Sequence, residues 1–135
     1  MKIKIIDNGM FKAPYRAHAN DCGADVYSPV TVTIAPNETA KINLGFAIDV
    51  PDGYGGFIYP RSGLSAKGIV CELPPIDPHY SGNIHAMVTN CSNKHYTINA
   101  GDRVGQLVIT PVVIADFITG DIAERGEGAF GSTGV

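Results

Sequence analysis

Ile84-His85-Ala86-Met87-Val88-Thr89-Asn90-Cys91-Ser92-Asn93-Lys94-His95-Tyr96-Thr97-Ile98-Asn99-Ala100-Gly101-Asp102-Arg103-Val104-Gly105-Gln106-Leu107-Val108-Ile109 contains three short apolar-alternating runs and two polar turns. Ile84 to Thr89, Tyr96 to Ile98 and Val104 to Ile109 follow a period near two, which suits a half-buried strand and not a helix. Between them, Ser92-Asn93-Lys94 and Asn99-Ala100-Gly101-Asp102 supply residues that reverse a chain by bonding their own backbone or by tolerating a positive φ. Short strands separated by tight turns in this way predict an antiparallel all-β barrel or sandwich.

The pattern extends toward the N-terminus. Lys2-Ile3-Lys4-Ile5, Val30-Thr31-Val32-Thr33-Ile34, Phe46-Ala47-Ile48-Asp49-Val50 and Phe57-Ile58-Tyr59 also read as strands, and Asp25 opens another after Gly23-Ala24. Ala35-Pro36-Asn37 and Pro51-Asp52-Gly53 are turns between them. One short helical turn is predicted, capped by Ser62 and ending at Gly68. No internal repeat is visible.

A chain of 135 residues is one domain with room for a core. Its 16 glycines and 9 prolines suit a turn-rich β fold. A net charge of −3 without a basic run argues against a nucleic-acid polymer as partner, while leaving room for a small positive pocket for one polyphosphate. Three cysteines, Cys22, Cys71 and Cys91, form neither a disulfide framework nor a zinc site, so they are expected as reduced structural thiols. Met1 to Asp7 lacks the apolar stretch of a signal peptide, and nothing approaches the ~18–20 apolar residues of a membrane span. A cytoplasmic protein is expected, of cellular, phage or viral origin. From Arg125 to Val135 the chain becomes glycine-rich with Phe130 as its one large side chain, too little to order itself. The expected organisation is therefore a core over 1–124 and a flexible C-terminal lid over 125–135.

Five segments carry candidate chemistry, and each alone has a plainer reading. Pro60-Arg61-Ser62-Gly63-Leu64-Ser65-Ala66-Lys67-Gly68 offers a guanidinium, a hydroxyl and backbone N–H groups suited to phosphate oxygens, or is only a capped turn with a solvated Arg. Ile76-Asp77-Pro78-His79-Tyr80-Ser81-Gly82 puts a carboxylate and an aromatic ring three residues apart, or is only an Asp-Pro turn; His79 is expected at the surface. Gly101-Asp102-Arg103-Val104-Gly105-Gln106-Leu107 brings Arg and Gln onto a strand, or is only a hairpin with an exposed charge pair. Arg125-Gly126-Glu127-Gly128-Ala129-Phe130-Gly131-Ser132-Thr133-Gly134 joins a guanidinium, an aromatic ring and two hydroxyls on a pliant string, suited to closing over a nucleotide, or is only a tail. Cys22-Gly23-Ala24-Asp25-Val26-Tyr27-Ser28 says little alone.

Taken together and in order, these segments resemble the five motifs of the trimeric dUTP pyrophosphatase (dUTPase) family, as does Thr39 to Gly53 between them. The resemblance runs from Ala19 nearly to the end. It implies a distorted jelly roll of the β-clip kind, assembled as a homotrimer with active sites shared between subunits, and hydrolysis of dUTP to dUMP and pyrophosphate with Mg²⁺. It further implies that Asp77 activates the attacking water and that Tyr80, beside Ile76, packs on the deoxyribose. Arg61, Ser62 and Gly63 match the phosphate-binding turn, and Gln106 its supporting strand. Arg125, Phe130, Gly131 and Ser132 match the closing tail, with Phe130 over uracil. Asp25 matches a carboxylate that helps hold a water-clad Mg²⁺ or a subunit contact. Two departures stand out. Pro74-Pro75 occupies a shortened loop where the family reads uracil through main-chain groups, and proline has no N–H to give. Ala129 replaces a usual glycine.

Two rivals share these residues. The dCTP deaminases resemble the Asp77 segment too, but they shuttle protons through a glutamate whose place falls at Met87 here. A non-catalytic nucleotide-sensing module would use the same pocket without turnover.

Overall fold

The computed structural model describes residues 1–123. Ten strands and one helical turn follow one another as β1 (Ile5–Asp7), β2 (Ala24–Tyr27), β3 (Val32–Ile34), β4 (Thr39–Asn43), β5 (Phe46–Ile48), β6 (Tyr54–Tyr59), α1 (Ser62–Ser65), β7 (Ile69–Glu72), β8 (His85–Asn90), β9 (Tyr96–Ile98) and β10 (Arg103–Pro111). Every pairing is antiparallel, in four small sheets: β1-β5, β2-β10-β6, β3-β9 and β4-β8-β7. The all-β expectation holds, in a jelly-roll-type arrangement whose sheets do not close into a barrel. The core lies between the sheets and is built from inward-facing aliphatics and Phe46.

Alternation in β8 illustrates how sequence becomes packing. Ala86, Val88 and Asn90 are buried, while His85, Met87 and Thr89 face outward on the same strand. Asn90 is tolerated there because its amide is fully used. Nδ2 donates to Ile34 O (2.9 Å) and Lys94 O (2.7 Å), and Oδ1 accepts from Ser92 N and Ser92 Oγ. Burying an amide without such partners would cost a few kcal/mol, so this network pins the β8–β9 turn against β3.

Several boundaries shift from those expected. The first strand is Ile5–Asp7, not Lys2–Ile5, because its partner β5 offers only Phe46–Ile48 for pairing. Val30 stays half-exposed outside β3, which likewise ends where β9 ends. Ser62 is not the helix cap. Arg61 occupies that position with extended φ/ψ and no side-chain cap bond, and Ser62 is the first helical residue. Gly68, at φ +80, ends the turn as expected. Strands β4 and β7 were not anticipated; each borrows its register from β8 between them. Cys71 on β7 is buried, whereas Cys22 and Cys91 are exposed, and all three are free thiols. Burial, reinforced by the charge of Glu72, pushes the Cys71 thiol up to about 12. Among the described residues no helix is long and apolar enough to cross a membrane.

Candidate active site

Asp77 owes its position to backbone bonds on either side of it. Ile76, 4% exposed, exchanges both main-chain bonds with Gly56 of β6 (2.7 and 3.0 Å), and this isolated bridge fixes the residue before the carboxylate. Beyond it, Tyr80 N donates to Asp77 O at 3.2 Å and closes the four-residue turn Asp77-Pro78-His79-Tyr80. Proline second and a positive φ third (His79, +68°) are the marks of a type II turn. The same scheme recurs at Ala35-Pro36-Asn37-Glu38, with the positive φ at Asn37, while Pro51-Asp52-Gly53-Tyr54 shares the positive φ third, at Gly53, but has its proline first. His79, like Asn37, belongs to the few non-glycine residue types enriched at positive φ. It is exposed, as expected, and its Nε2 lies 3.0 Å from Asp52 Oδ1, which ties the Asp77 turn to the Pro51–Tyr54 turn.

The turn borders a cavity of about 320 Å³. Pro74, Pro75, Asp77 and Tyr80 line it together with His85 of β8 and Lys41 of β4. Tyr80 folds back so that its hydroxyl donates to Asn83 O (3.4 Å), a path open only because Gly82 has no Cβ to collide with that hydroxyl. Register settles where the His85 backbone points. Leu44 N donates to Ile84 O, so the adjacent Asn43–His85 pair is a non-hydrogen-bonded one. His85 N–H and C=O therefore point away from β4, toward the edge where β7 has already ended at Glu72.

A second cluster gathers on β2, β10 and the end of β6. Asp25 and Tyr59 flank Gln106 in register, and Gln106 Nε2 donates to Pro60 O at 2.9 Å. Asp25 Oδ1 lies 3.3 Å from Arg61 Nε, and Oδ2 lies 3.5 Å from Arg103 Nη1. One carboxylate thus holds two guanidiniums at the mouth of α1, beside the exposed Ser62 and Gly63. Gly23 makes this possible, since a Cβ there would stand 2.5 Å from Gln106 Oε1 and 2.8 Å from its Cβ. Asp25 was a candidate in the sequence, but its pairing with Arg103 and the approach of Gln106 to Gly23 were marked by no local pattern. Arg125, Phe130, Gly131 and Ser132 lie outside the described residues.

The two clusters do not meet within one chain. On β6 the Asp77 turn hangs from Gly56 and the arginine cluster from Tyr59, three residues apart or roughly 10 Å. Arg61, Ser62 and Gln106 do not line the Asp77 cavity. As for a metal, no three His, Cys, Asp or Glu side chains converge among the described residues, and both oxygens of Asp25 face arginines. That donor set fits a hard cation that arrives hydrated and phosphate-bound, as Mg²⁺ does, and not one caged by protein.

An all-β scaffold with a carboxylate beside a cavity and a separate arginine cluster defines a protein equipped to hold a small polyanion. The family model for dUTPase matches residues 10–134, and the chain belongs to the dUTPase family. It is 39% identical to the deoxyuridine 5'-triphosphate nucleotidohydrolase of Ehrlichia canis (strain Jake), over all of this chain and 95% of that one. Against the enzyme of the same name from Bifidobacterium longum (strain DJO10A) the figure is 43%, over 88% and 80% of the two chains. Among solved structures it is similar to a Gly-to-Ser mutant of Staphylococcus bacteriophage 80alpha dUTPase with dUpNHpp, at TM-score 0.89, 29% identity and 99% coverage of both. It also resembles an Asp-to-Asn mutant of the dUTPase from the S. aureus phage phi11, a structure that details the coordination of a structural Mg(II) ion, at TM-score 0.82, 27% identity and coverage of 93% and 100%.

Proposed function

We propose that this chain hydrolyses dUTP to dUMP and pyrophosphate. The observation that carries the reading is the Asp77 turn: an exposed carboxylate, flanked on both sides by main-chain bonds, beside Tyr80 at the rim of a nucleoside-sized cavity. Asp77 accepts a proton from a water as that water's oxygen attacks the α-phosphorus. The bond from the α-phosphorus to the bridging oxygen breaks, and pyrophosphate departs with its electron pair. A placed general base of this kind contributes about 10²–10⁴-fold. Tyr80 packs against the sugar, where a ribose 2′-hydroxyl would collide. Mg²⁺, when bound with the triphosphate, would supply neutralisation of its charge, with Arg61, Ser62 and Gly63 holding the same oxygens from the protein side.

Phosphate contacts fall to Arg61, Ser62 and Gly63, with Asp25 and Gln106 holding that turn in shape. Because this cluster stands away from the Asp77 cavity, the reading completes each site with the arginine cluster of a neighbouring copy, in a homotrimer. Residues 125–135 serve as the lid, Arg125 and Ser132 toward phosphates, Gly131 toward the same oxygens through its N–H, and Phe130 over the base. Asp25 is assigned first to orienting Arg61; a water-mediated contact with Mg²⁺ would be made with both arginine pairs in place. The reading places the enzyme in the cytoplasm of a cell, or of a cell infected by the phage or virus that encodes it.

Product analysis tests this directly, with Mg²⁺ and dUTP, dCTP, dTTP or UTP in parallel. The expected result is dUMP and pyrophosphate from dUTP alone. Ammonia from dCTP would replace the reading with a deaminase, and dUTP binding without turnover would replace it with a sensing module.

A further inference from the structure

The N-terminal strand reaches the loop of Asp77 and Tyr80 through one side chain. β1 pairs with β5 as far as Asp7, opposite Phe46, and Asn8 N then donates to Gly45 O at 2.8 Å. There the chain reverses. Asp7 Oδ1 accepts from Gly9 N (2.9 Å) and Met10 N (3.1 Å), and Gly9 takes φ +103. This turn sits directly on Gly45, where a Cβ would stand 2.6 Å from Gly9 C and 2.7 Å from Met10 N. With its backbone fixed in this way, Asn8 commits its amide to a residue far along the chain: Nδ2 donates to Asn83 Oδ1 at 2.7 Å. Asn83 is where the loop from Asp77 runs into β8. The peptide after it is already fixed, since Ile84 N donates to Phe46 O at 2.8 Å, but the residue before it is the permissive Gly82. The Asn83 carbonyl accepts from the Tyr80 hydroxyl at 3.4 Å. A bond that long lies at the edge of hydrogen bonding, so a small displacement of Asn83 removes it.

We propose that Asn8 is a positioning residue for Tyr80: by pinning Asn83 it keeps the Tyr80 hydroxyl bound and the ring set as a wall against a ribose 2′-hydroxyl. This rests on the reading that Tyr80 packs against the sugar. Exclusion by collision needs a wall that does not yield. Tyr80 is 47% exposed, so little packing holds its ring, and Asn83 O is the one hydrogen-bond partner of its hydroxyl among the described residues. A ring freed from that contact gives way to ribose. Deoxyribose, which lacks the colliding group, binds much as before. Asn8 stands well ahead of Ala19, where the likeness to the family motifs begins, so none of those motifs supplies this tie.

The test compares binding of dUMP and UMP to the full chain by calorimetry, a readout independent of turnover. Asn8→Ala should lower the preference for dUMP by about fivefold, the weight of one ordinary hydrogen bond, and mainly by admitting UMP. Asn83→Ala removes the same bond from its other end and should match that change, which keeps the test open if one variant folds poorly. Tyr80→Phe should lower the preference by a similar factor. Asn8→Ala added to Tyr80→Phe should lower it no further, because the two act along one path. Asn8→Asp is the rescue: Asn83 can turn its amide to donate to the new carboxylate, so most of the preference should stay. A strand that merely stabilises the fold would weaken both ligands together, and would do so with or without the Tyr80 hydroxyl. A preference that survives Asn8→Ala and Asn83→Ala overturns the proposal alone, as does a double variant whose loss is the product of the single ones. A parent chain that binds dUMP and UMP alike overturns the sugar reading and the proposal with it. Failure of dUTP turnover with this coupling intact would instead fall on the hydrolase reading.

Discussion

Asp77 and Arg61 both stand close to β6, yet their side chains are used differently. The Asp77 turn is held by main-chain bonds with Gly56 and Tyr80 and by the His79–Asp52 contact, none of which uses the exposed Asp77 carboxylate. The Arg61 turn has main-chain bonds of its own, from Leu64 and Ser65 N–H to Arg61 O, but there the functional side chains are also engaged, with Asp25 between two guanidiniums and Gln106 on Pro60 O. A group that must move protons is best carried by a backbone that does not need it. Cations that must meet a polyanion are best aimed by a carboxylate that spreads them over a groove. The difference predicts that substitutions will separate chemistry from structure at the first site and mix them at the second.

The largest effect should come from Asp77→Asn. Turnover is expected to fall by about 10²–10⁴-fold with the melting temperature unchanged, since no bond that holds the turn uses that carboxylate. A variant with near-parental kcat would remove Asp77 from the chemistry. Deleting residues 125–135 comes next: kcat/KM for dUTP should drop on the order of 10²-fold while dUMP binding survives. Ordering a glycine-rich segment costs roughly 1–2 kcal/mol per residue, and only a triphosphate has enough oxygens to offset that. Undiminished activity after truncation would end the lid assignment.

Asp25→Asn tests the mixed behaviour of the second cluster. With both guanidiniums left without a counter-charge, kcat/KM should fall by roughly 10-fold and stability by about 1 kcal/mol, read by steady-state kinetics and denaturant unfolding. A purely catalytic or purely structural outcome would erase the contrast between the two sites. Gly23→Ala should act on the same cluster from behind. Its methyl displaces Gln106 from Pro60 O, at a cost of about 1–3 kcal/mol, and weakens dUTP binding more than it slows turnover.

The smallest effect lies beneath that cluster. Cys71 Sγ fits against β10 where Gly105 lacks a Cβ, one residue from Gln106. Its thiol is raised from 9.0 to about 12, so the folded chain keeps a proton that the unfolded chain loses first. The stability this lends is complete below the unfolded value near 9 and is lost as pH climbs toward 12. Between neutral pH and about pH 10 the loss should be about 1 kcal/mol, and Cys71→Val should flatten it. At neutral pH Cys22 and Cys91 should take a thiol reagent in the folded chain, and Cys71 only after unfolding.

The period-two runs and Gly/Pro/Asn turns fixed the all-β class, because side-chain alternation and positive-φ tolerance are local properties that need no partner. Asp77, Arg61 and Gln106 became candidates for a different reason: the order of their segments along the chain resembles the motifs of the dUTPase family. Strands β4 and β7 were not legible, since each is a strand only through β8, from which it is separated by more than a turn. Nor was the helix cap, where backbone geometry gave Arg61 the place that composition offered to Ser62.

What only the tertiary structure decided are the relations across register. Asp25 meets Arg61 and Arg103, and Gly23 gives way to Gln106. Each depends on which residue of one strand stands opposite which residue of another. A shift of one position would send every one of those side chains to the other face. The sequence by itself determined which strands and which chemical groups this protein has. Their separation into a carboxylate that no bond of its turn uses and an arginine cluster whose side chains are engaged came from packing, because long-range pairing is set by the whole core and not by any segment within it.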